Sequence, residues 1–366
     1  GRQDRNANLV QPTKHHRPPH EEHTVTSHHH HRSRWIASAV GAMSVALALG
    51  ACSGDDGDTL KVYSGRHYGI ETAFEKFTED TGIEVEFLTG NDGELRERIA
   101  SEGENTDADA YITVDAGNLV QATQDGLFQP IDSPVLDAAI PAELRDPDEN
   151  WFGLTIRART IIYNSDLLSE DEVPTTYEEL AEPEWKGRLC LRNSLNGYQQ
   201  SLVASLIAED GEDGARDVLQ GWKDNAEILA NDVVIIESVA DGLCEVGITN
   251  HYYLGRALEE NPDLPVDLVW ANQADRGVHV NISGGGVTKY SRHPEMAQEF
   301  LEWLATDGQG ILVDSNHEYP ANPSVPAEPL ITEEFGTDFK RDDLGADELG
   351  RLNPDAIRLM DDVGYG

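Results

Sequence analysis

The chain has 366 residues, of which 68 are acidic and 27 are Lys or Arg, and its formal net charge at pH 7 is −41. This acidic excess excludes the usual kinds of nucleic-acid-binding protein, because phosphate backbones are bound by clustered Lys and Arg. The composition is typical of a soluble protein in a salty exterior. The length exceeds that of a typical single domain and suggests two lobes.

Residues 1–51 are predicted to be a leader that ends in a lipoprotein signal peptide. The apolar run that begins at Trp35 is shorter than the ~20 residues of a membrane-spanning helix, and basic residues precede it. The segment LGAC at 49–52 is similar to the lipobox of bacterial lipoproteins, in which the Cys becomes the lipid-modified first residue. We therefore expect Cys52 to anchor the mature protein on the outer side of the cell membrane. The alternative is an ordinary signal peptide with an unmodified Cys52.

A strand, a helix and a second strand are predicted to open the folded part, after a tether at 52–59. The segment LKVYS at 60–64 predicts the first strand, and IEVEFLTG at 83–90 predicts the second. The segment between them predicts a helix that ends at Gly82. One face of this helix is apolar and consists of Ile70, Phe74 and Phe77.

Strands continue to alternate with helices along the rest of the chain. This alternation predicts an α/β protein with doubly wound parallel sheets whose faces are covered by helices. No long low-complexity linker divides the chain, so we expect two lobes joined by strands that cross between them. The predicted first lobe is 60–158 plus 282–335, and the predicted second lobe is 159–281 plus 336–366.

Besides Cys52, the chain has two cysteines, Cys190 and Cys244, which form an even pair. Outside the cytoplasm such a pair is more often a disulfide than two reactive thiols, and two cysteines alone cannot form a zinc site. We therefore expect a bond between Cys190 and Cys244.

Three tyrosine-bearing segments follow predicted strands. In open α/β sheets, ligands bind in the loops beyond the carboxyl ends of strands. Tyr63 and Tyr163 instead lie within apolar strands, where we expect them to be packing residues. The residues in loop positions are His67 with Tyr68, then Tyr198, and then the neighbours Tyr252 and Tyr253.

Several phenols with one imidazole favour ferric iron over the common divalent metals. Free phenol keeps its proton up to about pH 10, but a highly charged cation stabilises phenolate. Zinc takes Cys, His and carboxylate ligands, and calcium takes carboxylates and carbonyls. Fe³⁺ is a small, hard cation that suits anionic oxygen. An iron enzyme with two His and one carboxylate is disfavoured, because the His residues after the leader show no HxD or HExxH spacing.

The sequence also resembles the ferric-binding proteins that supply bacterial ABC iron importers, and in particular their tyrosine-rich cyanobacterial branch. The resemblance covers about residues 60–325, and its motifs occur in the order of the family. They are YSGRHYG, TVDAGNL, WFGLTIRARTIIYN, EWKGRLCLRNSLNGYQQSLVASLI, VGITNHYYLGR, HVNISGGGV and NHEYPANPSV. The resemblance implies a two-lobe, type II periplasmic-binding-protein fold that closes over an iron ion.

Residue by residue, the resemblance implies a set of five iron ligands. His67 and Tyr68 match the ligands of the first lobe, and Tyr198, Tyr252 and Tyr253 match those of the second lobe. Four phenolates against Fe³⁺ leave one excess negative charge, which one arginine could offset. Fe²⁺ is left open as the physiological ion.

The resemblance also implies which residues surround the ligands. Arg157 and Arg159 match a basic pair near the family's cleft, and either could instead be a strut between the lobes. Asn250 and Ser194 match positions where a sister branch contacts a bound anion. Asp115 falls where another branch supplies an acidic ligand, and here we expect it to lie outside the coordination sphere.

The predicted function is that of a monomeric, lipid-anchored iron carrier without catalytic residues, whose partners are an ABC permease and its ATPase. Two alternatives remain. The same fold could bind an organic cation such as a polyamine or thiamine in an aromatic box. A tyrosine-iron enzyme would need an open coordination position and a poised acid or base.

Overall fold

The structure is a computed structural model that describes residues 59–66 and 69–366. The predicted leader and tether, Cys52, and the ligand candidates His67 and Tyr68 lie outside the described residues. The strands of the described part are β1 Thr59–Ser64, β2 Glu84–Thr89, β3 Ala110–Thr113, β4 Phe152–Asn164, β5 Leu189–Arg192, β6 Ala226–Leu229, β7 Val246–Asn250, β8 Val266–Val269, β9 Val280–Val287 and β10 Tyr319–Pro320.

Helices follow most of these strands. They are α1 Ile70–Thr81, α2 Asp92–Glu102, α3 Ala116–Gln124, α4 Pro134–Ala139, α5 Gly197–Asn225, α6 Asp232–Ala240, α7 His251–Glu260, α8 Pro294–Ala305, α9 Gln309–Asp314, α10 Pro329–Glu334 and α11 Ala346–Val363. Short 3₁₀ turns lie at Gly103–Asn105, Ala142–Leu144, Glu170–Glu172, Glu179–Ala181 and Pro183–Trp185. Among the helices so described, none is long and apolar enough to span a bilayer.

The strands run in the order β2-β1-β3-β9-β4-β7-β5-β6, with β8 and β10 also paired to β4. β1, β2 and β3 are parallel, and so are β5, β6 and β7. β4 and β9 run antiparallel to their neighbours, so the sheets are mixed rather than wholly parallel as predicted. The reason is that these two strands cross between the two parallel groups instead of belonging to a βαβ unit.

The long strand β4 links the two groups of parallel strands. Its residues 152–158 pair with β9, and its residues 159–164 pair with β7 and β8. We call the group around β1, β3 and β9 with its helices the first lobe, and the group around β5 and β7 with its helices the second lobe. The residue boundaries that the sequence predicted for the lobes stay a prediction.

The first predicted helix forms as its apolar spacing requires. Phe74 and Phe77 are buried on one face of α1, and each packs edge-to-face on Phe300 of α8, with ring centroids 5.2 and 5.1 Å apart. Gly82 ends the helix in the left-handed conformation at φ 78°, which costs glycine little because it has no Cβ. The predicted helical face and its stop are confirmed.

Within the second lobe, a disulfide joins Cys190 of β5 to Cys244, which lies just before β7, and the two Cα atoms are 5.8 Å apart. Both side chains are buried. The bond therefore ties two parallel neighbours of the sheet together, through a residue within β5 and a residue that precedes β7.

The C-terminal helix α11 packs against both lobes. It contacts α3 of the first lobe and α5 of the second. Gly350 lies against Val120 of α3, so closely that an added Cβ would lie 2.6 Å from the Val120 Cβ. At the other end, the Tyr365 hydroxyl donates to the Arg192 carbonyl oxygen at 3.0 Å.

We expect Gly350→Ala to lower the free energy of unfolding, although alanine normally stabilises a helix interior. The usual gain is about 1 kcal/mol, whereas overpacking a tight contact costs about 1–3 kcal/mol. Gly310→Ala in α9 is the matched control, because its Cβ would meet open space. Urea unfolding of both variants measures the difference, and equal stabilisation by the two would contradict the close approach of α11 to α3.

Candidate metal centre

Three tyrosines lie just beyond the carboxyl ends of two neighbouring strands. Tyr198 is in the first turn of α5, where the side chain of Asn196 accepts a hydrogen bond from the Tyr198 backbone N–H at 2.9 Å. Tyr252 and Tyr253 are in the first turn of α7, which begins directly after β7. Because β5 and β7 are parallel neighbours, both turns leave the same edge of the sheet.

The phenols contact one another. The hydroxyls of Tyr198 and Tyr252 share a hydrogen bond, and the rings of Tyr252 and Tyr253 lie with centroids 4.3 Å apart. Tyr252 is only 3% exposed, and the Asn250 side-chain amide donates to its hydroxyl at 3.5 Å. The second-lobe part of the predicted ligand set is thus brought together.

Tyr198 and Tyr252 hold their protons strongly, because burial disfavours the charged phenolate. Burial raises the pKa of Tyr198, and the nearby Arg157 guanidinium offsets only part of the rise. Burial, together with the neighbouring Tyr198 and Tyr253, raises the pKa of Tyr252 well above its ordinary value. A ligand that requires phenolate must therefore displace these protons itself, which only a strongly charged cation does.

Arg157 supplies a buried positive charge at this point. Its guanidinium carbon lies 5.1 Å from the Tyr198 ring centroid, and it donates to the Ile282 carbonyl oxygen at 3.0 Å. Burial alone would lower the pKa of Arg157, but Tyr198, Glu318 and Tyr252 hold it above its ordinary value. Its Nε atom is buried without a hydrogen-bond partner among residues 59–66 and 69–366. Arg157 is therefore placed to offset negative charge on the phenols.

A second arginine, which the sequence analysis did not single out, also reaches the phenols. Arg192 lies with its guanidinium carbon 5.6 Å from the Tyr198 ring centroid and hydrogen-bonds to Tyr253. It forms an ion pair with Asp232, which is fully buried. Arg192 is the last residue of β5, so its position at a strand end was a signal that could have found it.

The other predicted neighbours of the ligands fall in different places. Arg159 points into the second lobe, where it pairs with Asp232 at 2.6 Å and donates to Gln199 at 3.0 Å. The backbone N–H of Ser194 donates to the carbonyl oxygen of Gly366 at 2.8 Å. Asp115 caps α3 by accepting from Asn118 N–H at 3.2 Å. Of the four residues predicted around the ligands, Arg157 contacts Tyr198 and Asn250 contacts Tyr252, whereas the carbonyl oxygen of Arg159 accepts from Tyr177, which is not a predicted ligand.

The first-lobe loop that carries His67 and Tyr68 is described only up to Arg66 and from Gly69. Arg66 is buried and pairs with Glu318 at 2.7 Å, and it donates to the Leu312 carbonyl oxygen at 2.7 Å. Glu318 in turn faces Arg157, and these cations hold the pKa of its carboxyl below the ordinary value despite burial. No local signal marked Glu318, because its partner is 252 residues away.

Asp92, at the start of α2, is a buried carboxyl close to the first-lobe loop. Its Oδ2 accepts from Val114 N–H at 3.2 Å, and its Oδ1 fills the space that a side chain on Gly65 would need. Burial raises the pKa of Asp92 to about 7, against the opposing effect of the Val114 hydrogen bond. The folded protein therefore keeps a proton that the unfolded chain releases near pH 4.

This proton predicts that the free energy of unfolding falls as the pH rises from about 4 to about 7, and that Asp92 adds no further change above that range. Asp92→Asn should remove this slope, because the amide cannot ionise. Urea midpoints at pH ~4.5 and ~7.5 for the wild type and the variant measure the effect. Parallel slopes in the two proteins would contradict the raised pKa.

The described residues contain no group of three or more His, Cys, Asp and Glu side chains that could hold a metal ion. Three phenols with a buried arginine beside them suit a hard trivalent cation far better than zinc or calcium.

Comparisons with known proteins agree with this arrangement. Residues 108–347 match the model of the family described as bacterial extracellular solute-binding protein. Iron uptake protein A1 of Synechocystis is 42% identical over 84% of this chain and 87% of its own length. The Fe(3+)-binding periplasmic protein of Serratia marcescens is 31% identical over 79% of this chain and 87% of its own length.

Solved structures give the same result for the fold. The Trichodesmium protein IdiA (FutA), solved with iron and citrate ligands, is 40% identical and has a TM-score of 0.79 over 84% of this chain and 100% of that one. The apo form of FutA2 from Synechocystis is 40% identical, with a TM-score of 0.78 over 84% of this chain and 99% of that one. The predicted two-lobe, type II periplasmic-binding-protein fold is confirmed.

Proposed function

The chain belongs to the bacterial extracellular solute-binding proteins, and on this premise we propose that it captures ferric iron through tyrosine phenolates and delivers it to an ABC permease. The observation that carries the proposal is the convergence of Tyr198, Tyr252 and Tyr253 beside the buried charge of Arg157. Phenolate is the form of these side chains that Fe³⁺ selects, and Arg157 offsets part of the charge that then develops.

His67 and Tyr68 complete the proposed ligand set from the first lobe. They follow β1, whose carboxyl end is the kind of position that carries ligands in α/β sheets. Relatives that are named for iron uptake or for Fe(3+) binding support the choice of cargo. Because ligands would come from both lobes, closure over the ion is the expected motion.

An organic cation is a poorer occupant of this site. It cannot displace the protons of the buried phenols as Fe³⁺ can, so it would meet neutral phenols beside the guanidinium groups of Arg157 and Arg192, whose repulsion no phenolate charge would then offset. An enzymatic role also finds less support. Five protein ligands leave little room for a substrate on the metal, so we propose a carrier rather than a catalyst.

The proposed setting is the outer side of the cell membrane. Cleavage before Cys52 and lipidation of that residue would tether the carrier near its permease and the ATPase that drives it. We propose that the carrier acts as a monomer. Treatment of cells with radiolabelled palmitate checks the anchor, because label should enter the wild type and not the Cys52→Ser variant.

Titration of the iron-free protein with Fe³⁺ tests the proposed function. We expect a visible phenolate-to-iron charge-transfer band that saturates at one equivalent of iron. Anaerobic titration with Fe²⁺, and calorimetry with spermidine and thiamine, separate the alternatives. Absence of the band, with heat released only by an organic cation, would overturn the proposal.

Iron affinity is expected to fall as the pH is lowered. Burial raises the pKa of Tyr198 and of Tyr252, so both phenols are protonated before iron binds and must release their protons to it. Each released proton weakens binding by about tenfold for every unit of pH decrease. Competition with a chelator of known affinity between pH ~8 and ~5 measures this slope. An affinity independent of pH would mean that phenolates do not bind the ion.

A further inference from the structure

A buried asparagine on the crossing strand β9 uses its whole side-chain amide. The Nδ2 of Asn281 donates to Asp115 Oδ2 at 2.9 Å and to Ser201 Oγ at 2.8 Å. Its Oδ1 accepts from the backbone N–H of Ala116 at 3.0 Å and of Ile282 at 2.7 Å. With two donors and two acceptor contacts satisfied, the orientation of this amide is fixed.

The partners of Asn281 belong to different lobes. Asp115 and Ala116 form the N-terminus of α3, which follows β3 in the first lobe. Ser201 lies in α5 of the second lobe, three residues after Tyr198 and therefore one helical turn further along. Asn281 itself pairs with Arg157 in the ladder between β9 and β4. One amide thus connects the two lobes at the strands that cross between them, and it meets α5 one helical turn beyond Tyr198.

Ser201 also has a second hydrogen-bond partner. Its Oγ hydrogen-bonds to the Nε2 of His279 at 2.9 Å, and both residues are buried. Burial lowers the pKa of His279 to about 3, so the imidazole is neutral under ordinary conditions. The Ser201 hydroxyl therefore joins helix α5 to both Asn281 and His279.

We propose that Asn281 and Ser201 form a latch that positions helix α5, and with it Tyr198, against the first lobe. The role of the latch in iron retention rests on the proposed function, whereas the latch itself does not. Neither residue touches the proposed ion, so both are positioning residues. If α5 moves away from β9, water can satisfy the freed groups. When the lobes are together, an unpaired amide is buried and costly.

Loss of the hydroxyl should therefore favour separation of the lobes. Ser201→Ala leaves one Asn281 N–H and the His279 Nε2 unpaired in the arrangement seen here, but not in one that lets water in. The ligand side chains are unchanged, so the charge-transfer band of bound iron should keep its wavelength. Iron should nevertheless dissociate about tenfold faster, which is the usual effect of one lost buried hydrogen bond.

Ser205→Ala is the matched control. Ser205 lies one turn further along α5 and is equally buried, but its hydroxyl donates to Asp342 at 2.8 Å rather than to the crossing strand. The Ser205→Ala substitution removes a hydroxyl oxygen from the same helix but leaves the hydrogen bond between Asn281 and Ser201 intact. Asn281→Ala removes the bond to Ser201 together with the bonds to Asp115 and to the Ala116 N–H, so it should act in the same direction as Ser201→Ala and more strongly at residues 115–119.

The test uses hydrogen exchange of the iron-free full chain and iron release to excess EDTA. Exchange at residues 115–119 of the first lobe should be faster in Ser201→Ala and Asn281→Ala than in the wild type and Ser205→Ala. A substitution that disturbs only α5 around Ser201 would leave the exchange rates of residues 115–119 unchanged. If Ser201→Ala matches Ser205→Ala in exchange at 115–119, the latch is refuted. If the wild type binds no iron, the proposed function fails, but the exchange measurement still decides the latch.

Discussion

Tyr252→Phe is expected to lower iron affinity by more than the 10- to 100-fold that follows loss of a group merely supporting a metal ligand. The substitution removes one hydroxyl and keeps the ring, so packing against Tyr253 is preserved. The lost oxygen is the one that hydrogen-bonds to Tyr198 and receives the Asn250 amide. Competition titration measures the affinity, and the charge-transfer band should weaken or shift in energy.

Tyr163→Phe is the control for this prediction. Tyr163 is a buried tyrosine of the same chemistry, but it lies near the end of β4 within the second-lobe sheet rather than in a loop beyond it. The Tyr163→Phe substitution should leave both the iron affinity and the charge-transfer band unchanged. Equal losses in the two variants would indicate a general effect of removing buried hydroxyls, and the assignment of Tyr252 as a ligand would be wrong.

Local signals in the sequence were sufficient for most of the elements. The apolar spacing of Ile70, Phe74 and Phe77 predicted α1, and Gly82 marked its end. The local signal is more complex in α5, which contains a glycine at position 211. Two helical segments of α5 meet at Gly211, whose backbone is non-helical at φ 72° and ψ 172°. The second segment runs to Asn225 and buries Ala215 and Leu219, so the glycine interrupts the helix without ending it.

Local sequence patterns could not predict the direction of strands β4 and β9. Both β4 and β9 are buried on every residue, so they look like the strands of a parallel sheet. Their antiparallel pairing depends on which strands lie beside them, and those strands are far away in the sequence. The crossing itself was predictable only because no linker separates the lobes.

The candidate site was likewise predictable from the sequence only in part. Tyr198, Tyr252 and Tyr253 could be predicted, since each follows a strand whose carboxyl end carries ligands in this class of fold. The charges that surround them could not, because they depend on contacts between distant segments. Arg192 and Asp232 are 40 residues apart, and Arg66 and Glu318 are 252 residues apart. The resemblance to the ferric-binding family pointed to Arg157 and Arg159, of which Arg157 faces Tyr198 and Arg159 donates to the Asn250 side chain.

The buried charges also explain how a strongly acidic chain can hold an anionic ligand set. The net charge of −41 belongs mainly to exposed side chains, which water and salt screen. Beside the phenols the local balance is reversed, with Arg157 and Arg192 facing Tyr198. Local burial, rather than total charge, sets the electrostatics at this point.

In the second lobe, the balance of buried charges beside the phenols depends on Asp232. It is fully buried at the start of α6 and pairs with both Arg159 and Arg192. Its Oδ1 also accepts from the backbone N–H of Asn250 at 3.1 Å, just before α7 begins. Although burial alone would raise the pKa of Asp232, the two arginines hold it below its ordinary value. The carboxylate is therefore charged in the folded protein.

Asp232→Asn should lower the free energy of unfolding by about 3–5 kcal/mol, because it leaves two guanidinium groups in the interior without a counter-charge. The amide has nearly the shape of the carboxylate, so the loss reports charge rather than a cavity. Asp355→Asn in α11 is the control, since its pair with Arg358 is exposed and such pairs contribute only about 0–1 kcal/mol. Urea unfolding at neutral pH compares the two variants. If Asp232→Asn costs no more than Asp355→Asn, then the two arginines are stabilised by other groups, and the second lobe does not depend on this carboxylate.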